Sequence, residues 1–395
     1  MNRGDARLRI QPFAIEVAEP TLTDLRARIG STRWPDPAWG PAWEQGTDLD
    51  FLQGIVAYWA DGFDWRVQER WLNSFAHFRA QIDGVWIHFV HERAMGGQGI
   101  PLILTHGWPS SFVEYLPLVP LLTDPAAHGI DGPAFDVVIP SLPGYGFSER
   151  PAQANYRTVS SMWHRLMQGL GYERYGAGGG DFGAGVATVM AFDEPDRTLG
   201  IHLSNLELSP VLVQSSQPLS DAERSYLADR DAWDSRERGY SAIQSTKPQT
   251  LGYGLSDSPI GQAAWILEKW RSWADSGGDV EARFGRDFLL TIVTLYWVTG
   301  TMITSIRDYF DNRWRGVSIG PHDRIQVPTG IANFCRQFAF EGEPPREWAE
   351  RLYNVRQWTP MPSGGHFASA EEPDLLARDI AAFFGSLGPR HHSPR

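Results

Sequence analysis

The run Gly178-Gly179-Gly180-Asp181-Phe182-Gly183-Ala184-Gly185 sets a carboxylate among small residues, where many hydrolases carry a serine. A tight strand-to-helix turn needs such neighbours, because a Cβ beside the apex collides with the reversing backbone. The apex side chain then stands over the sheet, next to the first free N–H groups of the following helix, which favour an anion. An ionised Asp181 held there is a nucleophile for a saturated carbon, such as an epoxide carbon, and forms an ester on attack. Two plainer readings stay open on this segment. Gly178, Gly180 and Gly183 satisfy a dinucleotide-binding G-x-G-x-x-G, although only a weakly apolar Tyr172-to-Ala177 stretch precedes them. Asp181 could equally be a helix N-cap.

Four further elements fit the nucleophile reading. Thr105-His106-Gly107-Trp108-Pro109 follows an apolar run. A sharp turn there exposes the Trp108 N–H, which with that of Phe182 forms an oxyanion hole, and Trp108-Pro109 is a candidate cis peptide. His106 itself reads as structural. Gly364-Gly365-His366-Phe367, near the C-terminus, offers His366 as general base for water. An acid must orient that histidine; Glu341, 25 residues before it, is the choice, with Glu343 as rival. Tyr240 and Tyr296 supply phenols, weak acids able to hydrogen-bond and then protonate a nascent alkoxide. Each of these residues also has an ordinary reading: a loop histidine, a solvated carboxylate, a core tyrosine.

The elements that must hold these groups follow from the pattern of apolar residues. Residues 1–96 are rich in tryptophan (Trp34, Trp39, Trp43, Trp59, Trp65, Trp71, Trp86), read mostly as core filling with a few left to line a pocket. Thr21 and Asp24 ahead of Leu25 and Ile29 mark a helix start. Residues 50–71 have helical spacing broken at Asp61-Gly62. Ile82-Asp83-Gly84 is a turn before an alternating strand at 85–90. From about Gly99, short apolar runs at 100–105 and 135–140 alternate with helical patterns such as 157–170, the rhythm of a parallel sheet buried on both faces. Residues 207–318 are mainly helical. Strands return at 325–329 and 358–361, and a last helix spans 374–384. The expected organisation is a segment at 1–96, an α/β core at 97–206 and 319–387 interrupted by a helical insertion at 207–318, and a tail at 388–395.

Bulk properties exclude several classes. The 395 residues are 42% hydrophobic and 21% charged, as in soluble globular proteins. A formal charge of −12 argues against nucleic acid or an anionic membrane as partner. One cysteine, Cys335, excludes an internal disulfide. The first residues, Met1 to Arg7, lack the apolar core of a signal peptide, so a cytoplasmic location is expected. The uncharged run from Phe288 to Ile306 contains five threonines and a glycine and reads as a buried helix rather than a membrane span. No Cys/His cluster suggests a metal, and no cofactor is expected.

In this order the motifs resemble those of microsomal and juvenile-hormone-type epoxide hydrolases of the α/β-hydrolase superfamily, over essentially the whole chain. The N-terminal part is similar through Arg33-Trp34-Pro35, Gly62-Phe63-Asp64-Trp65, Leu72-Asn73 and Ile82-Asp83-Gly84. The core is similar through His106-Gly107-Trp108-Pro109, the run from Pro140 to Ser148, Gly179-Gly180-Asp181-Phe182-Gly183 and Gly364-Gly365-His366-Phe367. The insertion is similar through Thr246-Lys247-Pro248, Asp257-Ser258-Pro259 and Tyr296-Trp297 followed by Gly300-Thr301. The resemblance implies an α/β-hydrolase fold, a mostly parallel sheet flanked by helices, with a helical cap insertion and an N-terminal wrapping segment. It implies Asp181 as nucleophile, His366 as base, Tyr240 and Tyr296 as the ring-opening pair, and an acid soon after Val327-Pro328-Thr329-Gly330. The family's usual offset for that acid falls on Gln337, which departs from the pattern; a small insertion brings Glu341 into register instead. A soluble, bacterial-style member without the membrane anchor of some relatives is implied, similar to those acting in natural-product pathways such as enediyne biosynthesis.

The expected function is conversion of an epoxide and water to a vicinal diol through an alkyl ester on Asp181. The expected partner is a small, apolar or aromatic epoxide, held by a pocket that includes Trp108, Phe182 and Phe367; a homo-oligomer is left open. A haloalkane dehalogenase uses the same Asp–His logic but needs halide-holding donors in place of a phenol pair. A ligand-binding protein on a non-catalytic hydrolase scaffold is a further alternative, favoured only by Gln337. An esterase lacks its G-x-S-x-G here, and an NAD-binding oxidoreductase gives His106-Gly107-Trp108-Pro109 no role.

Overall fold

Nine strands form one sheet in the computed structural model, which describes residues 8–388: β1 (Arg9–Pro12), β2 (His77–Ile82), β3 (Val85–Glu92), β4 (Ile100–Thr105), β5 (Phe135–Pro140), β6 (Tyr175–Gly179), β7 (Thr198–Leu203), β8 (Ile325–Asn333) and β9 (Tyr353–Pro360). Their order is β1-β2-β3-β5-β4-β6-β7-β8-β9. The first pairings, through β3 with β5, are antiparallel; the six strands from β5 to β9 run parallel. Asp83 and Gly84, with φ of 52° and 85°, make the β2–β3 turn. The expected start of the chain at Met1 to Arg7 and nearly all of the tail at 388–395 lie outside the described residues.

The apolar runs behave as their composition requires. Every residue of β5 is buried, because helices cover both faces of the parallel strands. β6 is nearly all small residues for the same reason. A Cβ at Gly176 would meet the Phe384 ring of helix Pro373–Ser386, while Gly179, of opposite parity, lies against Gly183 of helix Phe182–Asp193. That second helix is buried from Phe182 to Ala191 and apolar all round, as a helix enclosed by protein must be.

Seven helices stand between β7 and β8, from Asp221–Glu237 to Met302–Arg315. The uncharged run at 288–306 falls on two of them, Arg286–Thr299 and Met302–Arg315, which meet at 89° where Gly300 ends the first with φ of 64°. Leu289 to Tyr296 are buried, and among the described residues no single helix is long and apolar enough to cross a membrane.

The N-terminal helices Glu19–Gly30, Leu49–Asp61 and Trp65–Leu72 pack on these inserted helices. The Trp59 indole donates to Thr294 Oγ1 at 2.9 Å, and Arg28 pairs with Asp257 at 3.0 Å. The same segment supplies β1 to β3, so it ties insertion to sheet. The tryptophans divide: Trp59 and Trp65 are core, Trp39 is 89% exposed, and Trp34, Trp43 and Trp265 line a surface cavity of about 1070 Å³.

Candidate active site

Asp181 sits at the turn between β6 and helix Phe182–Asp193 with φ of 51° and ψ of −131°. A residue with a Cβ holds such a backbone at a cost of about 1–3 kcal/mol, so its surroundings must impose it. They do. Its own N–H donates to Asn205 Oδ1 at 2.7 Å, and the Gly180 N–H donates to the Tyr115 hydroxyl at 3.0 Å. A Cβ at Gly179 or Gly183 would strike the Thr105 carbonyl oxygen, so the glycines allow β4 and the new helix to close on the turn.

The carboxylate is divided between two environments. Oδ1 accepts from the Phe182 N–H at 2.7 Å and the Trp108 N–H at 3.0 Å. Gly107, which a Cβ would drive into Asp181, permits that approach, and the Trp108–Pro109 bond is cis. His106 is fully buried; burial lowers it to about 4, and its neutral ring accepts the Leu142 N–H at 3.2 Å. It holds the turn and does not face Asp181 as a proton carrier. Oδ2 faces His366, whose Nε2 lies 3.4 Å away.

His366 is brought there by a glycine loop after β9. Gly364 has φ of 96°, and a Cβ at Gly365 would meet the Trp273 carbonyl. The His366 N–H donates to that carbonyl at 2.9 Å, and Glu371 receives the N–H groups of Gly365, Phe367 and Asp275. Burial works against a charged imidazole, but the Asp181 contact and charge, with Glu114 and Glu341 behind, raise it above 6.5.

The expected acids separate. Glu341 is half-buried on an irregular segment that pairs with the end of helix Pro259–Trp273, through Phe338 N–H to Ala274 and Ala339 N–H to Ser272. Burial raises its carboxyl, and the His366 charge draws it back. Glu343 is exposed and lies beside Cys335. The Gln337 carboxamide oxygen is buried without a partner.

Tyr240 stacks on Trp108, with ring centres 5.5 Å apart and planes at 7°. Tyr296 is 2% exposed and donates its hydroxyl to the Ser110 carbonyl at 2.7 Å. Burial and then the Asp181 charge keep both phenols protonated far above their ordinary range. Of the expected pocket residues, Trp108 lies under Tyr240, and Phe367 stacks on Trp270 at 3.8 Å and is 1% exposed. The Phe367 ring ties the glycine loop to the inserted helix Pro259–Trp273.

Three residues escaped the sequence reading. Tyr309 packs its ring on Phe182, Trp108 and Tyr240 at 4.9, 5.7 and 5.8 Å. Glu207 accepts the Tyr156 hydroxyl at 2.6 Å, and burial followed by the Asp181 charge pushes it up to about 7. Glu114, bonded to Ser369, is likewise raised by burial to about 7. Asn205 and Glu207 follow β7 directly, and active groups in α/β sheets gather at the carboxyl ends of strands; that signal was available. Asp181, Glu207, Tyr240, Tyr309, Glu341 and His366 are half-buried yet enclosed by protein, so they line one interior chamber roofed by the insertion.

The chain is similar to known proteins along almost all of its length. Residues 10–115 match the family model for the epoxide hydrolase N terminus, and residues 100–249 the model for the alpha/beta hydrolase fold. The chain is 37% identical to epoxide hydrolase 1 of Sus scrofa, covering 96% of this chain and 89% of that protein. The structure of Aspergillus niger epoxide hydrolase superposes with a TM-score of 0.83 at 28% identity, covering 97% of this chain and 98% of that one. That of juvenile hormone epoxide hydrolase from the silkworm Bombyx mori gives 0.80 at 30% identity, covering 96% and 94%. With its fold, its full-length coverage and its N-terminal segment all matched, the chain belongs to the epoxide hydrolase family of the α/β-hydrolase fold.

Proposed function

We propose that this chain hydrolyses a small epoxide to a vicinal diol through a covalent ester on Asp181. The observation that carries the proposal is the divided carboxylate, Oδ1 held by two N–H groups and Oδ2 open towards His366. Oδ2 attacks an epoxide carbon; the ring C–O bond breaks, and its electron pair passes to the oxygen. A phenol proton from Tyr240 or Tyr296 neutralises that oxygen, leaving a tyrosinate and a hydroxyalkyl ester.

Water then adds to the ester carbonyl carbon, giving its proton to His366, and the Trp108 and Phe182 N–H groups hold the oxyanion. Collapse expels the diol, which takes the imidazolium proton, and the new Asp181 carboxylic proton returns to the tyrosinate. Glu341 stabilises the imidazolium. The inserted helices act as a lid that excludes water during the first step, and the aromatic walls formed by Phe182, Tyr240 and Tyr309 suit an apolar or aromatic substrate body.

The test is the intact mass of His366→Gln after exposure to aryl epoxides and to alkyl halides. A gain of one whole epoxide mass, mapped to Asp181, is expected. An adduct formed only from halides, with halide lost, would establish a dehalogenase instead. No adduct from either panel, with the fold intact, would sink the covalent route.

A further inference from the structure

Glu207 is the chamber carboxylate that the proposed reaction leaves without a task. It lies four residues past the end of β7, on the loop whose Asn205 fixes the Asp181 backbone at 2.7 Å. Its position is set by Tyr156, the first residue of helix Tyr156–Gly169, whose hydroxyl donates to Oε1 at 2.6 Å. Tyr156 is in turn fixed against the nucleophile's own helix, its ring centre 5.8 Å from that of Phe182 and its edge over Gly185, where a Cβ would collide with it. One oxygen is therefore held rigidly. The other has no hydrogen-bond or ion-pair partner among the described residues, and it is not one of the buried, sealed-off polar atoms. It is left accessible to a ligand.

A carboxyl oxygen kept inside protein without a partner is unfavourable, and more so when charged. The neighbours make this worse, since the charges of Asp181 and Glu341 both bear on Glu207. No arginine or lysine pairs with it among the described residues. Aromatic rings stand near it, those of Tyr240, Tyr309 and Phe182. A carboxyl oxygen with no protein partner, held beside the nucleophile and among aromatic rings, is the arrangement of a site that reads one polar substituent on a largely apolar ligand.

We infer that Glu207 is a specificity residue, whose free oxygen accepts a hydrogen bond from a hydroxyl group carried by the epoxide substrate close to its ring. The physiological substrate is then a hydroxylated epoxide, not a bare hydrocarbon one. This rests on the proposed epoxide hydrolysis. Binding of the hydroxyl satisfies the acceptor and places the ring against Oδ2 of Asp181, so the contribution falls on kcat/KM for hydroxylated substrates only.

The test uses two matched substrates, the epoxide of cinnamyl alcohol and that of its deoxy analogue, which differ by one hydroxyl. The ratio of their kcat/KM values is measured for wild type, Glu207→Gln and Glu207→Leu. The ratio favours the alcohol in wild type, falls about tenfold or more in Glu207→Leu, and falls by less in Glu207→Gln, which keeps an acceptor oxygen. A ratio within twofold of wild type in both variants overturns the inference while leaving epoxide hydrolysis standing. Absence of diol from either substrate with wild-type enzyme removes the underlying reading, and this inference with it. Because Glu207→Gln is isosteric, a misfolded leucine variant does not decide the outcome.

Discussion

His366 Nε2 lies 3.4 Å from Oδ2 of Asp181, while Oδ1 of the same carboxylate is occupied by the N–H groups of Trp108 and Phe182. The two oxygens are therefore chemically distinct before any substrate arrives. Oδ2 is free to attack carbon, and Oδ1 is already where a tetrahedral oxyanion would be stabilised. In the proposed mechanism water therefore adds at the Asp181 carbonyl carbon and not at the substrate. In a single turnover in heavy-oxygen water, the label should enter the Asp181 carboxyl group, and the diol should carry unlabelled oxygen from the protein. Peptide mass analysis reads this directly, and label in the first-turnover diol would mean direct attack of water on the epoxide.

The same contact makes hydrolysis of the ester depend on pH in a defined direction. Burial disfavours the charged His366, yet the Asp181 contact and charge hold it above 6.5 in the free enzyme. In the proposed ester that anion is gone while the burial stays, which favours the neutral imidazole that deprotonation of water requires. Breakdown of the ester should rise with pH through an inflexion lower than the His366 titration of the free enzyme, followed by NMR. Coincident inflexions would show that Asp181 does not govern the base. The linked stability term has the opposite sense to a carboxylate's: it is present below about 6.5 and is lost as pH rises through the raised folded value.

Glu341 and Glu343 should separate sharply. Glu341 is enclosed and its charge reaches His366, whereas Glu343 is exposed beside Cys335. Glu341→Gln should slow ester breakdown on the order of a hundredfold or more, with alkylation little changed, and Glu343→Gln should do neither. Gln337→Glu in the Glu341→Gln background should restore part of the loss, because Gln337 lies within hydrogen-bond reach of Glu341. The reverse order for the two glutamates would move the assignment.

The phenols should act on the first step. Tyr240→Phe and Tyr296→Phe together should reduce single-turnover alkylation by on the order of 10²–10⁴. Tyr240 should count for more, because Tyr296 must first release the Ser110 carbonyl. Tyr309→Phe, which keeps the wall against Phe182 and Trp108, should cost less than either. Alkylation unchanged in the double variant would refute the pair.

What the sequence disclosed and what it hid follow one physical rule. Asp181, Trp108 and His366 were legible because each depends on backbone that only glycine or a fixed turn permits, and such demands leave local marks, as at Gly107, Gly183 and Gly364. The parallel strands were legible because burial on both faces forces apolar runs. β6 was the faint one, since close approach by Phe384 and Gly183 leaves room only for small residues. The orienting acid stayed ambiguous because residues 334–345 carry no regular structure and so no period by which to count. Glu207 and Tyr309 left no local mark at all; they reach the chamber only because β7 and helix Met302–Arg315 end or pass beside it.

The junction between core and insertion gives the last prediction. Arg150, on the loop after β5, is 8% exposed and pairs with Asp308 at 2.7 Å and Asp311 at 3.0 Å on helix Met302–Arg315. Burial pushes Asp308 up to about 7, and the Arg150 charge is the main influence drawing it down. Arg150→Met leaves Asp308 without that cation, so its carboxyl rises further and resists ionisation. Because this folded value lies above the unfolded one, stability falls as pH rises from about 4 towards the folded value, and the variant extends that fall to higher pH. Denaturant midpoints should show a loss approaching 3–5 kcal/mol at about pH 8 and a smaller loss at about pH 6. Asp308→Asn added to Arg150→Met should recover part of it at the higher pH. A loss independent of pH would assign the junction's strength to packing and not to this buried charge.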